Sequence, residues 1–464
     1  MEKEEKQQQQ TQERNIADII AERKNKSIEL KSWETELKKE YYPSLHPVMD
    51  TALYPDKIGK NGKNVKVTRA TRGLQRRAVK IMTGMMFGIP VERVYTQTNT
   101  DSEDEAKAAK IIEKILERNR IDSINIDRGI KLFASCEIAT LWYAIKEDNV
   151  LYGEKSKLKI KCRNFSPMSD ESIYPLMDEY GDMIALSFEY TRKENGKTIT
   201  YFDSYTATDH LKWRCGDGQW EEVENEAITL IGKIPGIYGN RITPIWEDSN
   251  NVTEIEWAYS RNGNYLRRNS VPVYEVCDDE KINFGNEKDD DERIILKLSS
   301  KGSSGYKTWE QATESLKFQT EGLEKGFFSD IQLPNFSFDE MKSSPASGEA
   351  KRYMFVDAII KVLEEQGMWL EYFDREINVI RAFAKIMFPK LADAFDAIQV
   401  KNVITPFTIN DEKDTISNST TATGGKAIAS RRTAIKRLGW VDDVDAEIDE
   451  IEREETIDSM EPTI

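Results

Sequence analysis

The stretch that decides the fold runs from Pro334 to Phe388 and reads PNFSFDEMKSSPASGEAKRYMFVDAIIKVLEEQGMWLEYFDREINVIRAFAKIMF. A polar loop leads into a pattern of helical period about forty residues long, which corresponds to roughly 60 Å of helix. Pro345 suits the first turn of this helix, and Pro389 ends it. Its apolar or small residues recur every three or four positions at Val356, Ile360, Leu363, Gly367, Leu370, Ile377, Ile380, Ala384 and Met387. A helix of this length is typical of a mechanical part that crosses a domain or joins subunits.

The length and net charge of the chain limit its possible architecture and its possible ligands. A chain of 464 residues is too long for one ordinary core, and we expect about two to four structural units. Its 66 basic and 82 acidic residues give a net charge of −16. Proteins that wrap nucleic acid tightly use basic patches to displace counterions, so this chain is not expected to do so.

Cysteine usage and apolar runs indicate the compartment. The four cysteines have no CxxC spacing, which is typical of reduced thiols in an intracellular protein. Residues 1–15 are rich in Gln, Glu and Lys and lack the apolar core of a signal peptide, so we predict a disordered tail. The most apolar stretch, residues 78–91, is too short to span a bilayer. The sequence therefore predicts a soluble cytoplasmic protein.

The first third of the chain reads as helical and the next part as β-rich. Helical periods cover residues 16–42, 69–89, 101–118 and 127–146, and the last of these is the most apolar. From residue 158 to residue 246 the side chains alternate, with a hairpin predicted around Asn195 and Gly196. A β-rich layer that follows a helical one predicts the α+β class.

The region after residue 250 alternates between short elements. Thr253 to Glu256 has the spelling of a capping box before a short helix, which Gly263 weakens by about 1 kcal/mol. Strand patterns at residues 271–276 and 293–298 flank acidic runs, and a short helix is predicted at 320–331. Beyond Pro389 we predict a strand at 401–409 and two helices. Between these helices Gly439 fits a C-terminal cap, and Asp442 or Asp443 fits an N-terminal cap.

The sequence does not match the common motifs of catalytic and metal-binding sites. Residues 195–198 end like a phosphate-binding loop, but Thr191 stands where that motif needs a glycine. His46 and His210 lie far apart without zinc-site spacing, so each is expected to have an ordinary structural or surface role. The acidic runs lack the alternating ligands of a calcium loop. We therefore predict no catalytic residue, no cofactor and no metal, with one alternative left open: a metal-dependent hydrolase that uses carboxylates such as Asp289 to Glu292.

Basic residues cluster in two places. They are Arg69, Arg72, Arg76, Arg77 and Lys80 in the first cluster, and Arg431, Arg432, Lys436 and Arg437 in the second. On helices such residues are more often solvated or subunit-facing than in contact with phosphate, and that is the expectation here.

Five weak motifs occur in an order that resembles the portal proteins of long-tailed double-stranded DNA phages. They are the helix of residues 74–91 with its Gly-x-Pro ending, the buried segment 130–143, the Pro-then-Asn entry at 242–251, Ser-Gly-x-Ala at 347–350, and the Ser-x-x-Thr segment with its acidic helix at 430–454. The first stem helix is shorter than in relatives, and this leaves the stem boundaries open.

This resemblance implies an α+β portal fold with a helical and β-rich wing, a helical stem, a small α/β clip, a long helix and a helical C-terminal crown. The implied parts are a disordered tail (1–15), wing (16–250), first stem helix (251–269), clip (270–317), second stem helix (318–333), tunnel loop (334–347), long helix and wing return (348–425), crown (426–459) and tail (460–464).

The resemblance also implies a function without catalysis. Portals form a dodecameric ring at one capsid vertex, through which DNA is packaged and ejected, while a separate terminase hydrolyses ATP. The implied partners are double-stranded DNA in transient, non-specific contact, the terminase large subunit, head-completion or adaptor proteins, and the major capsid and scaffolding proteins, with no membrane. The implied location is the virion, and the host cytoplasm during assembly. Another phage structural or assembly protein remains the alternative.

Two sets of site residues follow from the same resemblance. The DNA-facing residues of the tunnel loop are Lys342, Met341, Ser343, Asn335 and Phe338, and Lys342 is the loop's one cation. The partner-facing residues of the clip are Val273, Tyr274, Asp278, Asp279, Asp289 and Asp290.

Overall fold

The structure is a computed structural model, and both helices and antiparallel sheets build it, as the predicted α+β class requires. It describes residues 16–26, 28–58, 62–223, 231–246, 251–269, 273–277, 302–307, 313–335, 355–407, 420–423, 429–441 and 443–458.

The helices begin and end at residues with clear physical roles. Helix α4 begins after Ser102, whose Oγ accepts the amide of Glu105, and α10 ends at Gly439, whose φ of 67° suits glycine. The helices are α1 (Ile16–Arg23), α2 (Lys38–Tyr41), α3 (Leu74–Phe87), α4 (Glu103–Arg118), α5 (Ile121–Ser135), α6 (Asn251–Asn269), α7 (Thr313–Asp330), α8 (Val356–Met387), α9 (Ala392–Ala397), α10 (Arg431–Leu438) and α11 (Val444–Asp458).

The strands form five antiparallel sheets within the described residues, in the orders β1-β2, β10-β9-β8-β7-β6, β11-β4-β5, β12-β13 and β14-β3. They are β1 (Lys57–Ile58), β2 (Asn64–Val65), β3 (Glu92–Thr96), β4 (Glu137–Asn149), β5 (Ser156–Phe165), β6 (Ser172–Met177), β7 (Met183–Glu194), β8 (Lys197–Tyr205), β9 (His210–Cys215), β10 (Trp220–Glu222), β11 (Gly236–Asn240), β12 (Val273–Cys277), β13 (Ser303–Lys307) and β14 (Gln399–Val403).

The predicted hairpin is confirmed between β7 and β8. Glu194 lies opposite Lys197, which leaves a two-residue turn of Asn195 and Gly196. Both turn residues have positive φ, 51° and 83°. This is the geometry that the twist of a two-residue hairpin favours, and Asn and Gly adopt it at low cost.

Two helix predictions in the first third are wrong in part. The segment 127–146 is not one helix, since α5 ends at Ser135 and β4 begins at Glu137 after Cys136, whose φ is 65°. Strand β4 lies between β11 and β5, and a central strand buried on both faces has the same continuous apolar run as a buried helix. The segment 16–42 is also broken: α1 ends at Arg23, and a π-helical turn over Trp33–Leu37 precedes α2.

Helix α8 is the centre of the main core. Its Trp369 packs edge-on against Phe87 of α3, with the ring centroids 4.9 Å apart, and lies beside Phe133 of α5. The predicted stripe is correct for its second half, where Ile377 and Ile380 are buried. In the first half Val356, Ile360, Leu363 and Gly367 are exposed, because that part of α8 buries Ala358, Lys361 and Val362 instead.

His210 gives the five-stranded sheet a measurable dependence on pH. Its ring stacks on Tyr205, and burial lowers its pKa from 6.5 to about 4, with the charge of Lys212 acting in the same direction. The unfolded chain binds a proton below pH 6.5, whereas the folded chain does so only near pH 4. Stability that is present above pH 6.5 is therefore lost as the pH falls toward 4, by about 3 kcal/mol for the whole shift.

The test is the variant His210→Phe, which keeps an aromatic ring against Tyr205. We expect its unfolding free energy, measured in urea at pH 7.0, 5.5 and 4.5, to fall less steeply than that of the wild type. Asp203 contributes the opposite slope in both proteins, because burial raises its pKa. Equal slopes in the two proteins would remove His210 as the cause.

Candidate functional site: a helix pair and the roots of the adjoining loop

Helices α6 and α7 pack against each other as a pair. Helix α6, with 19 residues, covers the same range as the first stem helix expected at 251–269, and α7, with 18 residues, begins at Thr313, earlier than the second stem helix expected at 318–333. One side of the pair is attached to the segment that precedes α3, and the end of α7 leads into residues 331–335. The pair is therefore the element from which the predicted loop and the predicted partner-facing strands emerge.

Alternate backbone amides of residues 68–72 bond to one face of α6. Two residues of extended chain advance roughly 6.6 Å, close to the 6.0 Å of four helical residues, so successive bonds stay in step. The three bonds are Thr68 N to Asn264 Oδ1 at 2.7 Å, Ala70 N to Ser260 Oγ at 2.9 Å and Arg72 N to Glu256 Oε1 at 2.7 Å. This alignment holds α6 along its length.

Gly263 lies where this segment comes closest to the helix. A Cβ built on Gly263 would lie 2.6 Å from Cγ2 of Thr68 and 3.1 Å from its Cβ. The sequence suggests only that this glycine weakens the helix, but the structure gives it a role: it makes room for Thr68.

We expect Gly263→Ala to lower the unfolding free energy by about 1–2 kcal/mol, because overpacking costs more than the roughly 1 kcal/mol that alanine gains in a helix. Adding Thr68→Ser, which removes Cγ2, should recover most of the loss. Gly322→Ala in α7 is the matched control, since its Cβ would have no atom within 4 Å and should stabilise. Urea denaturation of the wild type and the three variants measures these differences, and a stabilised Gly263→Ala would contradict the packing argument.

His46 and Glu256 form a buried pair at the base of α6. The His46 Nδ1 lies 2.6 Å from Glu256 Oε1, and Nε2 lies 2.8 Å from the carbonyl oxygen of Glu40. The carbonyl can only accept, so Nε2 donates. Glu256 Oε1 also accepts the amide of Arg72, so this one carboxyl group joins His46 and the segment that precedes α3 to α6. His46 has the structural role that was predicted, whereas the predicted capping role of Glu256 is wrong.

The first basic cluster mostly makes contacts within the chain and is not simply solvated. Arg72 bonds to Glu324 of α7 at 2.7 Å, and Arg69 pairs with Asp56 at 2.9 Å. Arg77 lies over the ring of Phe328, and Arg76 lies over that of Tyr41. The contacts of Arg72 and Arg77 join the segment before α3, and α3 itself, to α7. Arg76 and Lys80 are exposed, so the expectation of a solvated or subunit-facing cluster stays open for them.

Both roots of the predicted tunnel loop lie in the main core. Leu333 on one side and Phe355 on the other are buried in the same cluster. Asn335 is described, and its Oδ1 is buried with no hydrogen-bond partner among the described residues. The other predicted DNA-facing residues, Lys342, Met341, Ser343 and Phe338, lie outside the described residues. Both ends of the predicted loop are therefore fixed in the same core.

The predicted clip strands are described in part. Val273 and Tyr274 lie on β12, which pairs with β13 so that Val273 is opposite Lys307 and Tyr274 is opposite Tyr306. The predicted second strand at 293–298 lies outside the described residues, as do Asp278, Asp279, Asp289 and Asp290.

A buried polar network that sequence reasoning missed fixes α8 to the β-sheet. Arg128 of α5 reaches Glu376 of α8 at 2.6 Å, and Trp142 of β4 donates to the same carboxylate at 3.1 Å. Arg128 also donates to Thr140 at 3.0 Å, and Tyr372 donates to Thr140 at 2.7 Å. Burial is the largest single influence on the pKa of Arg128 and lowers it, but the charge and hydrogen bond of Glu376, together with Tyr372, raise it by more in total, so the guanidinium stays ionised. The feature of the sequence that could have indicated this network is the acidic residue Glu376 within the apolar stripe of α8.

The described residues hold no group of His, Cys, Asp and Glu side chains arranged for a metal ion. Within the same parts of the chain, no helix is long and apolar enough to cross a membrane. Burial raises the pKa of the Cys136 and Cys162 thiols to about 12, so both stay protonated at neutral pH. The carboxylates that the hydrolase alternative would use lie outside the described residues.

Comparison with known families places this architecture among the phage portal proteins, which are structural components of the virion. The matching family model is described as "Phage portal protein, SPP1 Gp6-like" and covers residues 17–459, so the chain belongs to the SPP1 Gp6-like portal family. The resemblance found in the sequence is thereby confirmed.

The comparison with solved structures gives a distant likeness. No curated protein matches the sequence. A chain of the solved structure "Virion of native gene transfer agent (GTA) particle" is similar at 10% identity and a TM-score of 0.35, covering 91% of this chain and 98% of that chain.

Proposed function

We propose that copies of this chain close into a dodecameric ring at one capsid vertex, through which double-stranded DNA is packaged and later ejected. The observation that carries the proposal is the portal family match over residues 17–459. The protein itself catalyses no reaction in this scheme, and the terminase large subunit supplies ATP hydrolysis.

The charge of the chain suits a channel for a polyanion. DNA carries one negative charge per roughly 1.7 Å of its axis, so a basic wall would make many simultaneous phosphate contacts and stall the duplex. Each copy has a net charge of −16, and a ring of such copies repels the duplex. DNA contact is then restricted to a ring of identical loops, in which Lys342 is the proposed phosphate contact, flanked by Met341, Ser343, Phe338 and Asn335.

The anchoring of the helix pair supports a mechanical role for that loop. Force applied to the loop passes through Leu333 and Phe355 into the core of α8. The bonds from residues 68–72 and the salt bridge between Arg72 and Glu324 resist sliding of the pair. We therefore assign α6 and α7 to the stem.

The small β-sheet between α6 and α7 is the proposed docking part, or clip. Its strands β12 and β13 follow α6 and precede α7 in the chain. The proposed contacts are Val273, Tyr274, Asp278, Asp279, Asp289 and Asp290, which would meet the terminase first and the head-completion or adaptor proteins later. The wing (16–250 with the return to 425) and the crown (426–459) complete the proposed division, facing the major capsid and scaffolding proteins.

The function is tested by assembly and by packaging. We expect the purified chain to form an annulus with an open axial hole in negative-stain images. Lys342→Glu should leave the annulus intact but lower packaged DNA by tenfold or more in a packaging assay, because it places a ring of acids at the duplex. Lys110→Glu, at an exposed position of α4, is the charge-matched control. A monomer with metal-dependent cleavage would favour the hydrolase alternative, and normal packaging by Lys342→Glu would remove that residue from the mechanism.

A further inference from the structure

One face of the five-stranded sheet carries four aromatic side chains and a carboxylate. Glu189 of β7 and Trp213 of β9 lie directly opposite Phe202 of β8. Tyr174 of β6 and Trp220 of β10 fall on the same face, because each lies two residues along its strand from a position in that row. The other face of the sheet packs on β4 and β5. Five strands therefore build one surface from residues that are distant in the chain.

Helix α1 lies on this surface. Ile20 is buried there with Phe202 and Trp213, and Ile16 and Ile19 are partly buried against the same cluster. Helices shorter than about 12–15 residues are marginal in water, and α1 has eight residues. Contacts with the sheet therefore hold α1 in its helical form, and a group that pins its C-terminal end adds to them.

Lys24, the residue after α1, places its ammonium among three rings of the sheet. Its Nζ lies 5.7 Å from the ring centroid of Tyr174, 5.6 Å from that of Phe202 and 6.0 Å from that of Trp220. Oε2 of Glu189 lies 2.8 Å from the same Nζ and also accepts the hydroxyl of Tyr174 at 3.0 Å. Three rings and one carboxylate thus converge on one ammonium group.

This set of groups has the chemistry of an ammonium site. The face of an aromatic ring carries negative potential and attracts a cation, most strongly where water is displaced. The carboxylate of Glu189 adds a full charge and an acceptor for an N–H, so a primary alkylammonium suits the site better than a quaternary one. The Lys24 side chain is 32% exposed, and a salt bridge alone contributes little at such exposure. The rings are therefore the distinguishing part of the site.

We propose that this face of the sheet is a binding site for alkylammonium groups, formed by Tyr174, Glu189, Phe202 and Trp220. Lys24 is its resident ligand, and its ammonium holds α1 on the sheet as a strap. Because the rings and the lysine belong to separate segments, Lys24 can leave while the strands stay paired, and the lysine side chain of a partner protein matches the site once Lys24 has left. Neither the site nor its ligand requires a second copy of the chain, so the site goes beyond the proposed ring.

Chemical rescue in the full-length chain tests the site. Lys24→Ala removes Nζ and the three carbons next to it, which n-propylammonium can replace. We expect Lys24→Ala to speed hydrogen exchange in α1, measured by mass spectrometry, by roughly fivefold or more, since the cation and its contacts are lost. Added n-propylammonium chloride should return the rate close to that of the wild type, whereas sodium chloride at the same ionic strength should not.

Two further variants test the rings and the position of the lysine. Adding Trp220→Leu to Lys24→Ala should abolish the response to n-propylammonium, with rates compared in the presence and absence of the salt in the same double variant. Lys107→Ala, which removes a half-exposed lysine from α4, is the matched control and should leave exchange in α1 unchanged.

Three results would overturn the site. Unchanged exchange in Lys24→Ala would show that its ammonium does not hold α1. Equal slowing by sodium chloride would show a general effect of salt, and a response that survives Trp220→Leu would show that the rings do not bind the ammonium. Each of these results would leave the proposed portal function standing, because that function is tested separately by the formation of annuli.

Discussion

Arg128→Met is expected to lower the free energy of unfolding by roughly 3–5 kcal/mol, because it leaves the carboxylate of Glu376 buried without its counter-charge. Glu376 is 1% exposed. Among the described residues, it would retain only the 3.1 Å hydrogen bond that Trp142 donates. Methionine fills most of the volume of the arginine stem, so the loss reports the charge and not a cavity.

Removing both charges should cost far less than removing one. In the double variant Arg128→Met with Glu376→Leu, two apolar side chains replace a buried pair, and such replacements are often neutral or stabilising. The control on the same helix is Arg375→Met, which breaks an exposed pair with Glu371 and should cost no more than about 0.5 kcal/mol. Comparing the losses in unfolding free energy of these variants separates the effect of burial from the effect of ion pairing.

Urea denaturation followed by far-ultraviolet circular dichroism, at one protein concentration for all variants, measures these differences. Equal losses of unfolding free energy for Arg128→Met and Arg375→Met would show that the buried pair matters no more to stability than the exposed pair. A double variant as unstable as the single one would mean that packing, and not the unpaired charge, sets the cost.

Features fixed by a few neighbouring residues were predictable from the sequence. The Asn195-Gly196 turn, the cap at Gly439 and the acidic start of α4 after Ser102 all depend on local backbone chemistry. The strongly periodic second half of α8 was predictable for the same reason, since one stripe faces one core.

Features fixed by distant residues were not predictable. Glu376 meets Arg128 across 248 positions and Glu256 meets His46 across 210, and no local pattern shows either pair. The end of α5 at Cys136 lacks a glycine signal, so an apolar run that is half helix and half strand reads as one helix. The candidate site was therefore predictable as a position in the chain order, while the bonds that anchor it were not.

Glu256→Ala is expected to loosen the base of α6, with a loss of roughly 3 kcal/mol or more in unfolding free energy. The change removes the partner of the His46 Nδ1 and the acceptor of the Arg72 amide, and it leaves both of these buried polar groups without that hydrogen bond. Glu256→Gln should cost less, since its carbonyl oxygen can still accept the Arg72 amide.

Hydrogen exchange at individual amides shows where the Glu256→Ala variant loosens the structure. The amides of Thr68, Ala70 and Arg72 are bonded to α6 in series, so Glu256→Ala should speed exchange most at Arg72 and progressively less toward Thr68. Glu254→Ala, at an exposed position of the same helix, should leave all three rates unchanged. Uniform acceleration at the three amides would indicate that the segment opens as one unit, and unchanged rates would mean that the His46–Glu256 pair does not hold it.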